Sequence, residues 1–124
     1  MALTTTTINE IKDAVLDRME NKFAYIAVGT DDTTPSSSDT ALGNEVLRKT
    51  RQEYLRDDTN GKITVSMWIL STEANGNDLK EVGVFDASSG GNMYSRNTFN
   101  TISKNNNIEV WIDIEFTTTV QEVS

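Results

Sequence analysis

The sequence predicts a mainly β domain: an antiparallel β-sandwich or rolled sheet of about six strands with one N-terminal α-helix. Three observations carry this. Apolar residues recur at three- and four-residue spacing only near the N-terminus. From Phe23 onward they alternate with polar residues, most cleanly over Lys62–Leu70 and Ile108–Thr118. Turn-forming clusters separate the alternating runs: Asp57-Asp58-Thr59-Asn60-Gly61, Ser88-Ser89-Gly90-Gly91 and Lys104-Asn105-Asn106-Asn107. The 124 residues suffice for one domain with one core, so residues 1–124 are read as a single unit, its β part spanning 23–118.

Thr7-Ile8-Asn9-Glu10 reads as a capping box, in which the Thr7 hydroxyl and the Glu10 carboxylate each satisfy a free backbone N–H. The helix is expected over 8–21. Ile8, Ile11, Val15 and Met19 form its apolar stripe, with Leu16 beside it, and Asn9, Lys12, Asp13, Asp17 and Glu20 form its polar side. Such a stripe packs on the domain's own sheet or against another subunit.

Phe23–Gly29 is the first expected strand. Gly29–Asp39, rich in Asp, Thr and Ser and holding the single proline, Pro35, is a loop long enough to be functional or mobile, or to fold back over a sheet. Ala41–Glu45 is read as one helical turn capped by Asp39 or Thr40, and Val46–Arg56 as an extended segment ending at the Asp57–Gly61 turn. Over Lys62–Leu70, Ile63, Val65, Met67 and Ile69 share one face and Thr64, Ser66 and Trp68 the other. Leu79–Ala87 and Asn92–Asn100 form a hairpin about Ser88–Gly91. In Ile108–Thr118, Ile108, Val110, Ile112, Ile114 and Phe116 point inward and Glu109, Trp111, Asp113 and Glu115 outward. The tail, Thr119–Ser124, is expected to fray.

Composition narrows the function classes. There is no cysteine and no histidine, which removes disulfides, thiolate metal sites and the commonest general base and zinc ligand. The net charge is −8. The one basic cluster, Arg48-Lys49-Thr50-Arg51, is followed by Glu53 and Asp57-Asp58, so the electrostatic footprint of a nucleic-acid binder is missing. No apolar run approaches the ~18 residues of a spanning helix, and Met1-Ala-Leu-Thr does not read as a signal peptide.

Nineteen acidic residues make a carboxylate pair easy to find. Glu109, Asp113 and Glu115 nevertheless line the solvent face of one strand, and no nucleophile, base and orienter stand out together. No catalytic residue, metal ligand or cofactor is therefore assigned. Asp31, Asp32 and Asp39 could clasp calcium, but they lack the ligand pattern of a calcium loop and read as turn formers.

Trp68 and Trp111 fall on the polar faces of their strands, where a large aromatic usually has something over it. The helix or the long loop, a neighbouring subunit, or a sugar ring could each provide that cover. Ile8, Ile11, Val15, Met19, Trp68 and Trp111 are thus the candidate subunit interface. Pairing across the Ser88–Gly91 turn sets Ala87 against Asn92, Phe85 against Tyr94 and Gly83 against Arg96. Glu81 then lies diagonal to Arg96, a candidate structural ion pair across the bare Gly83.

One order of motifs resembles a known family. A strand ending in Val28-Gly29-Thr30 is followed by a polar loop containing proline, then Asp39-Thr40-Ala41-Leu42, Glu45 and Arg48-Lys49. Glu81-Val82-Gly83-Val84-Phe85-Asp86 leads through a glycine turn to Met93-Tyr94-Ser95-Arg96-Asn97-Thr98-Phe99, and Ile102-Ser103-Lys104 precedes the last strand. From about Ile8 to Phe116 this resembles small structural proteins of tailed viruses: tail-fibre, tail-collar and baseplate-type proteins of bacteriophages and archaeal tailed viruses. The resemblance implies a non-enzymatic tail subunit made in the host cytoplasm and working through protein–protein contacts. It implies partners among other virion tail proteins and a homo-oligomer, a trimer being favoured. Alternatives are a carbohydrate-binding receptor module recognising a host surface glycan, and a capsid decoration protein. The chain carries no fibre-forming repeat and no receptor-binding extension of the kind found in long fibres.

Overall fold

The computed structural model describes residues 2–121; residues 122–124 of the tail expected to fray lie outside the described residues. One helix, α1 (Thr5–Lys22), precedes seven strands: β1 (Tyr25–Gly29), β2 (Glu45–Thr50), β3 (Glu53–Asp57), β4 (Lys62–Ile69), β5 (Asp78–Phe85), β6 (Met93–Ser103) and β7 (Val110–Thr117). They form a four-stranded sheet, β2-β1-β5-β6, and a three-stranded sheet, β3-β4-β7, with every pairing antiparallel. The result is a mainly β sandwich with one helix.

The helix starts one turn earlier than the capping box at Thr7 suggests. Thr4, in extended conformation, is the N-cap, and its hydroxyl accepts from the Thr7 N–H at 3.3 Å. A threonine three residues upstream offers the same hydroxyl, so the helix extends to include Thr5–Thr7. The line of contact with the sheets also differs from the expected stripe. Leu16 is wholly buried and Met19 packs on the core, whereas Ile11 is 43% exposed. The helix crosses one end of the sandwich, where the Phe23 ring meets Phe116 at 4.5 Å and Tyr94 at 5.1 Å between centroids. At its C-terminus, the Arg51 guanidinium donates to the carbonyls of Glu20 (2.8 Å) and Phe23 (3.1 Å), groups a helix end leaves without intrahelical partners.

The extended segment expected over Val46–Arg56 is two strands. β2 pairs with β1, and β3 with β4, the chain changing sheets at Arg51-Gln52. A strand that bends from one sheet into the other makes a corner of the sandwich. The Arg51 N–H bonds to the Ala24 carbonyl in one sheet, and the Gln52 N–H to the Ser66 carbonyl in the other. Lys49 reinforces the corner, its Nζ donating to the Trp68 carbonyl at 2.7 Å and to Glu73 at 2.8 Å.

Between the sheets lie Ile26, Val28, Ile63, Val65, Met67, Ile69, Leu79, Val82 and Val84. The alternation read for the fourth and last strands holds: Ile63, Val65, Met67 and Ile69 are buried, and Trp111, Asp113 and Glu115 are exposed. In the β5–β6 hairpin, Gly83 faces Arg96, but Phe85 pairs with Met93 rather than Tyr94. A bulge beside the turn absorbs one residue of β6, as bulges do at strand ends.

Candidate functional site

Two surfaces gather the residues singled out above. The first is the outer face of the four-stranded sheet, which the Thr30–Asn44 loop covers. Leu42 is buried against Ala27 and Phe85 in a second, smaller apolar cluster with Tyr25 and Met93 at its edge. Ala41–Glu45 therefore forms no helical turn: its chain runs irregularly, with Leu42 anchored in that cluster. Bare backbone makes room for the loop. A Cβ on Gly29 would stand 2.3 Å from the Asn44 carbonyl oxygen, and one on Gly83 2.9 Å from Leu42.

Glu81 is the anchor of this loop and is wholly buried. Its Oε1 accepts from the Gly43 N–H (2.8 Å) and Arg96 Nε (2.9 Å); its Oε2 accepts from the N–H groups of Asn44 (2.9 Å) and Asp31 (3.0 Å). Burial pushes this carboxyl up, but the four donors together outweigh it and hold the group below its ordinary value. Arg96, itself enclosed, donates through Nη1 to the Thr33 carbonyl at 2.8 Å and to Asp39 Oδ2 at 3.3 Å, and its Nη2 lies 3.6 Å from Asp31 Oδ2. The cation faced by Asp31 and Asp39 is thus this guanidinium, while Asp31 also takes the Thr33 N–H and hydroxyl as a turn former does. Arg48 completes the face. Its guanidinium lies 3.7 Å from the centre of the Phe85 ring and donates to the carbonyls of Ala87 and Gly90.

The second surface is the outer face of the three-stranded sheet. Trp68 and Trp111 are directly paired across β4 and β7. Their ring centroids stand 6.5 Å apart with a 47° tilt, and they are 38% and 48% exposed. The long loop does fold back over a sheet, but over the other one, and the helix closes an end; neither covers the tryptophans. The Trp111 indole donates to Asp113 at 2.7 Å, and Asp113 also accepts from the Ser66 hydroxyl. Leu55, 55% exposed, belongs to the same face. Sequence reading missed it; the signal was the alternation of Glu53, Leu55 and Asp57 against Tyr54 and Arg56, hidden while Val46–Arg56 was read as one segment.

Beside the tryptophans the sandwich is open. β6 and β7 are the last strands of their sheets, and a groove of about 610 Å³ lies between them, floored by Val82, Phe99, Ile102, Ile112 and Ile114 and edged by Trp111, Asp113 and Glu115. Among the described residues, no group of three or more acidic side chains is arranged to hold a metal ion, and no helix is long and apolar enough to cross a membrane. Set against known proteins, the chain matches no family model and no curated protein.

Proposed function

We propose that this chain is a non-enzymatic structural subunit of a tailed virus, a tail, baseplate or fibre-attachment component that works through protein–protein contacts and assembles as a symmetric homo-oligomer. The observation that carries this reading is the uncovered Trp68–Trp111 pair on a sheet face that is otherwise polar apart from the exposed Leu55 two pairs away. Tryptophan is concentrated in the buried centres of interfaces and is costly to leave bare. A second observation supports the resemblance. Gly29, Leu42, Arg48, Glu81, Gly83, Phe85 and Arg96 come from separate motifs quoted for it, and they converge on one clasp.

Light scattering at low and high salt tests the reading. The expected result is a stable trimer or other closed oligomer, reduced to monomer by Trp68→Ala combined with Trp111→Ala. A monomer at every concentration, with and without tail partners, counts against it. The carbohydrate-receptor reading is favoured by the exposed indole pair beside a carboxylate, Asp113, which accepts from Trp111 and Ser66. Specific binding on a glycan array, lost in either tryptophan variant of a monomeric protein, would put that reading first.

A further inference from the structure

We infer that the groove between β6 and β7 receives an extended strand from a partner protein, added to the free edge of β7, whose side chains alternate between apolar and basic. Three features of the seam lead there, and none depends on the virion reading.

The first is the backbone. β7 pairs with β4 on one side, and no described strand pairs with the other. A row of unpaired N–H and C=O groups along an eight-residue strand is a template for a further strand. Natural edges are usually blunted by lysine, proline or a bulge; β7 has no proline or lysine, and its register with β4 runs without a break.

The second is the period of two along β7. A strand laid beside it presents every other side chain to the apolar floor at Ile112 and Ile114, and the remainder to the outer side at Asp113 and Glu115. Among the described residues, those two carboxylates are the only charged side chains lining the groove; Glu115 also lies 3.4 Å from the exposed Lys62 amine, and Asp113 accepts from Ser66 and Trp111 through one oxygen, Oδ1. Valine, isoleucine or threonine therefore suits the inward positions, and lysine or arginine the outward ones.

The third disfavours a second copy of this chain. Antiparallel pairing of β7 with its own copy about Ile114, a register of nearly full strand overlap, sets Asp113 opposite Glu115, which is destabilising. Of the other three sheet edges, β6 carries one cation, Arg96, already held by Glu81, Asp31 and Asp39; on β2, Arg48 and Lys49 are held by Glu45 and Glu73, and on β3, Arg56 is held by Asp17, Glu20 and Asp58. Trp111 belongs both to the tryptophan face and to the rim of the groove, so strand addition and the oligomer proposed above share that side chain.

The test is titration of the full-length protein with synthetic eight-residue peptides, followed by tryptophan fluorescence and by hydrogen exchange of the β7 amides. A peptide alternating lysine or arginine with valine should bind, protect the β7 amides, and weaken as salt rises. Replacing its basic residues by glutamate should abolish binding, as should N-methylation of alternate amides, which removes the added ladder. Glu115→Lys, on an exposed side chain, should weaken binding about threefold to tenfold while the protein stays folded. Absence of binding at millimolar peptide overturns the inference. So does equal binding of the N-methylated or acidic peptide. Protection of the β7 amides in the free protein that is lost on dilution would also overturn it, because a second copy would then occupy the edge.

Discussion

The outer face of the four-stranded sheet lies under the Thr30–Asn44 loop, and a carboxylate and a guanidinium are enclosed there beside Ala27, Leu42 and Phe85. The outer face of the three-stranded sheet is bare and presents two tryptophans and a leucine. Each face reverses the ordinary distribution, in which charges stay in water and large aromatics leave it. The difference lies in what each charge or ring has for company. Glu81 exchanges water for four N–H donors, three of them backbone groups of the loop. The charge and the loop satisfy each other, so the cover is built into the chain. Trp68 and Trp111 have no such internal cover, which is why the proposed interface is placed on them.

The sharpest way to break this comparison is to remove the charge from the clasp. Glu81→Gln turns one acceptor oxygen into an NH₂ facing N–H donors and leaves Arg96 enclosed without its closest partner. The expected loss is about 3–5 kcal/mol in chemical denaturation at neutral pH, with the Thr30–Asn44 amides becoming the fastest-exchanging part of the β1–β2 hairpin. A loss below about 1 kcal/mol would mean that the loop is held by Leu42 and not by the clasp.

Acid should act on the same element. The Glu81 carboxyl lies below its ordinary value of 4.5 in the folded protein, so as pH falls the unfolded chain takes up this proton first. The contribution of the clasp is complete above the ordinary value and is lost as pH falls through the lower, folded value. The stability difference between wild type and Glu81→Gln should therefore shrink below that ordinary value. A difference independent of pH from about 7 down to about 3, a range that spans the ordinary carboxyl value, would show that the carboxylate charge is not what matters.

At the corner, Arg51→Ala removes two hydrogen bonds to the helix end and the guanidinium above the Tyr54 ring, 4.3 Å from its centre. Thermal or urea melts should show a loss of about 1–2 kcal/mol. The tryptophans should matter least to the isolated fold. Trp68→Ala or Trp111→Ala should each cost no more than about 1.5 kcal/mol, the scale of an aromatic pair, while changing the oligomeric mass. A large loss of stability with no change of mass would make them packing residues and remove the contrast between the faces.

Much of this architecture was legible from residue spacing. The alternation of Ile63, Val65, Met67 and Ile69 fixes which face of β4 is buried, and the Ser88–Gly91 turn sets Gly83 against Arg96 and so brings Glu81 near it. At the turn the pairing is one residue off the expected one, with Phe85 against Met93, and the bulge between Val84 and Phe85 restores the count, so Gly83 still faces Arg96. The N-cap and the change of sheet at Arg51-Gln52 were not legible. Thr4 and Thr7 carry the same hydroxyl, and a strand that bends into a second sheet keeps an extended backbone throughout.

Local sequence determined that there is one N-terminal helix and which faces of β4 and β7 point inward, because those follow from periods of 3.6 and 2 that each segment carries alone. It also determined that Trp68 and Trp111 would stand on polar faces. Only the tertiary structure decided which sheet the long loop would cover. That choice rests on where backbone N–H groups of Asp31, Gly43 and Asn44 meet Glu81, and on glycines at 29 and 83 that let the chain approach. The meeting joins residues up to 50 positions apart, a distance over which no local pattern reports. The tryptophans were left uncovered, and the seam between β6 and β7 open, because the loop that could have covered them was fixed elsewhere.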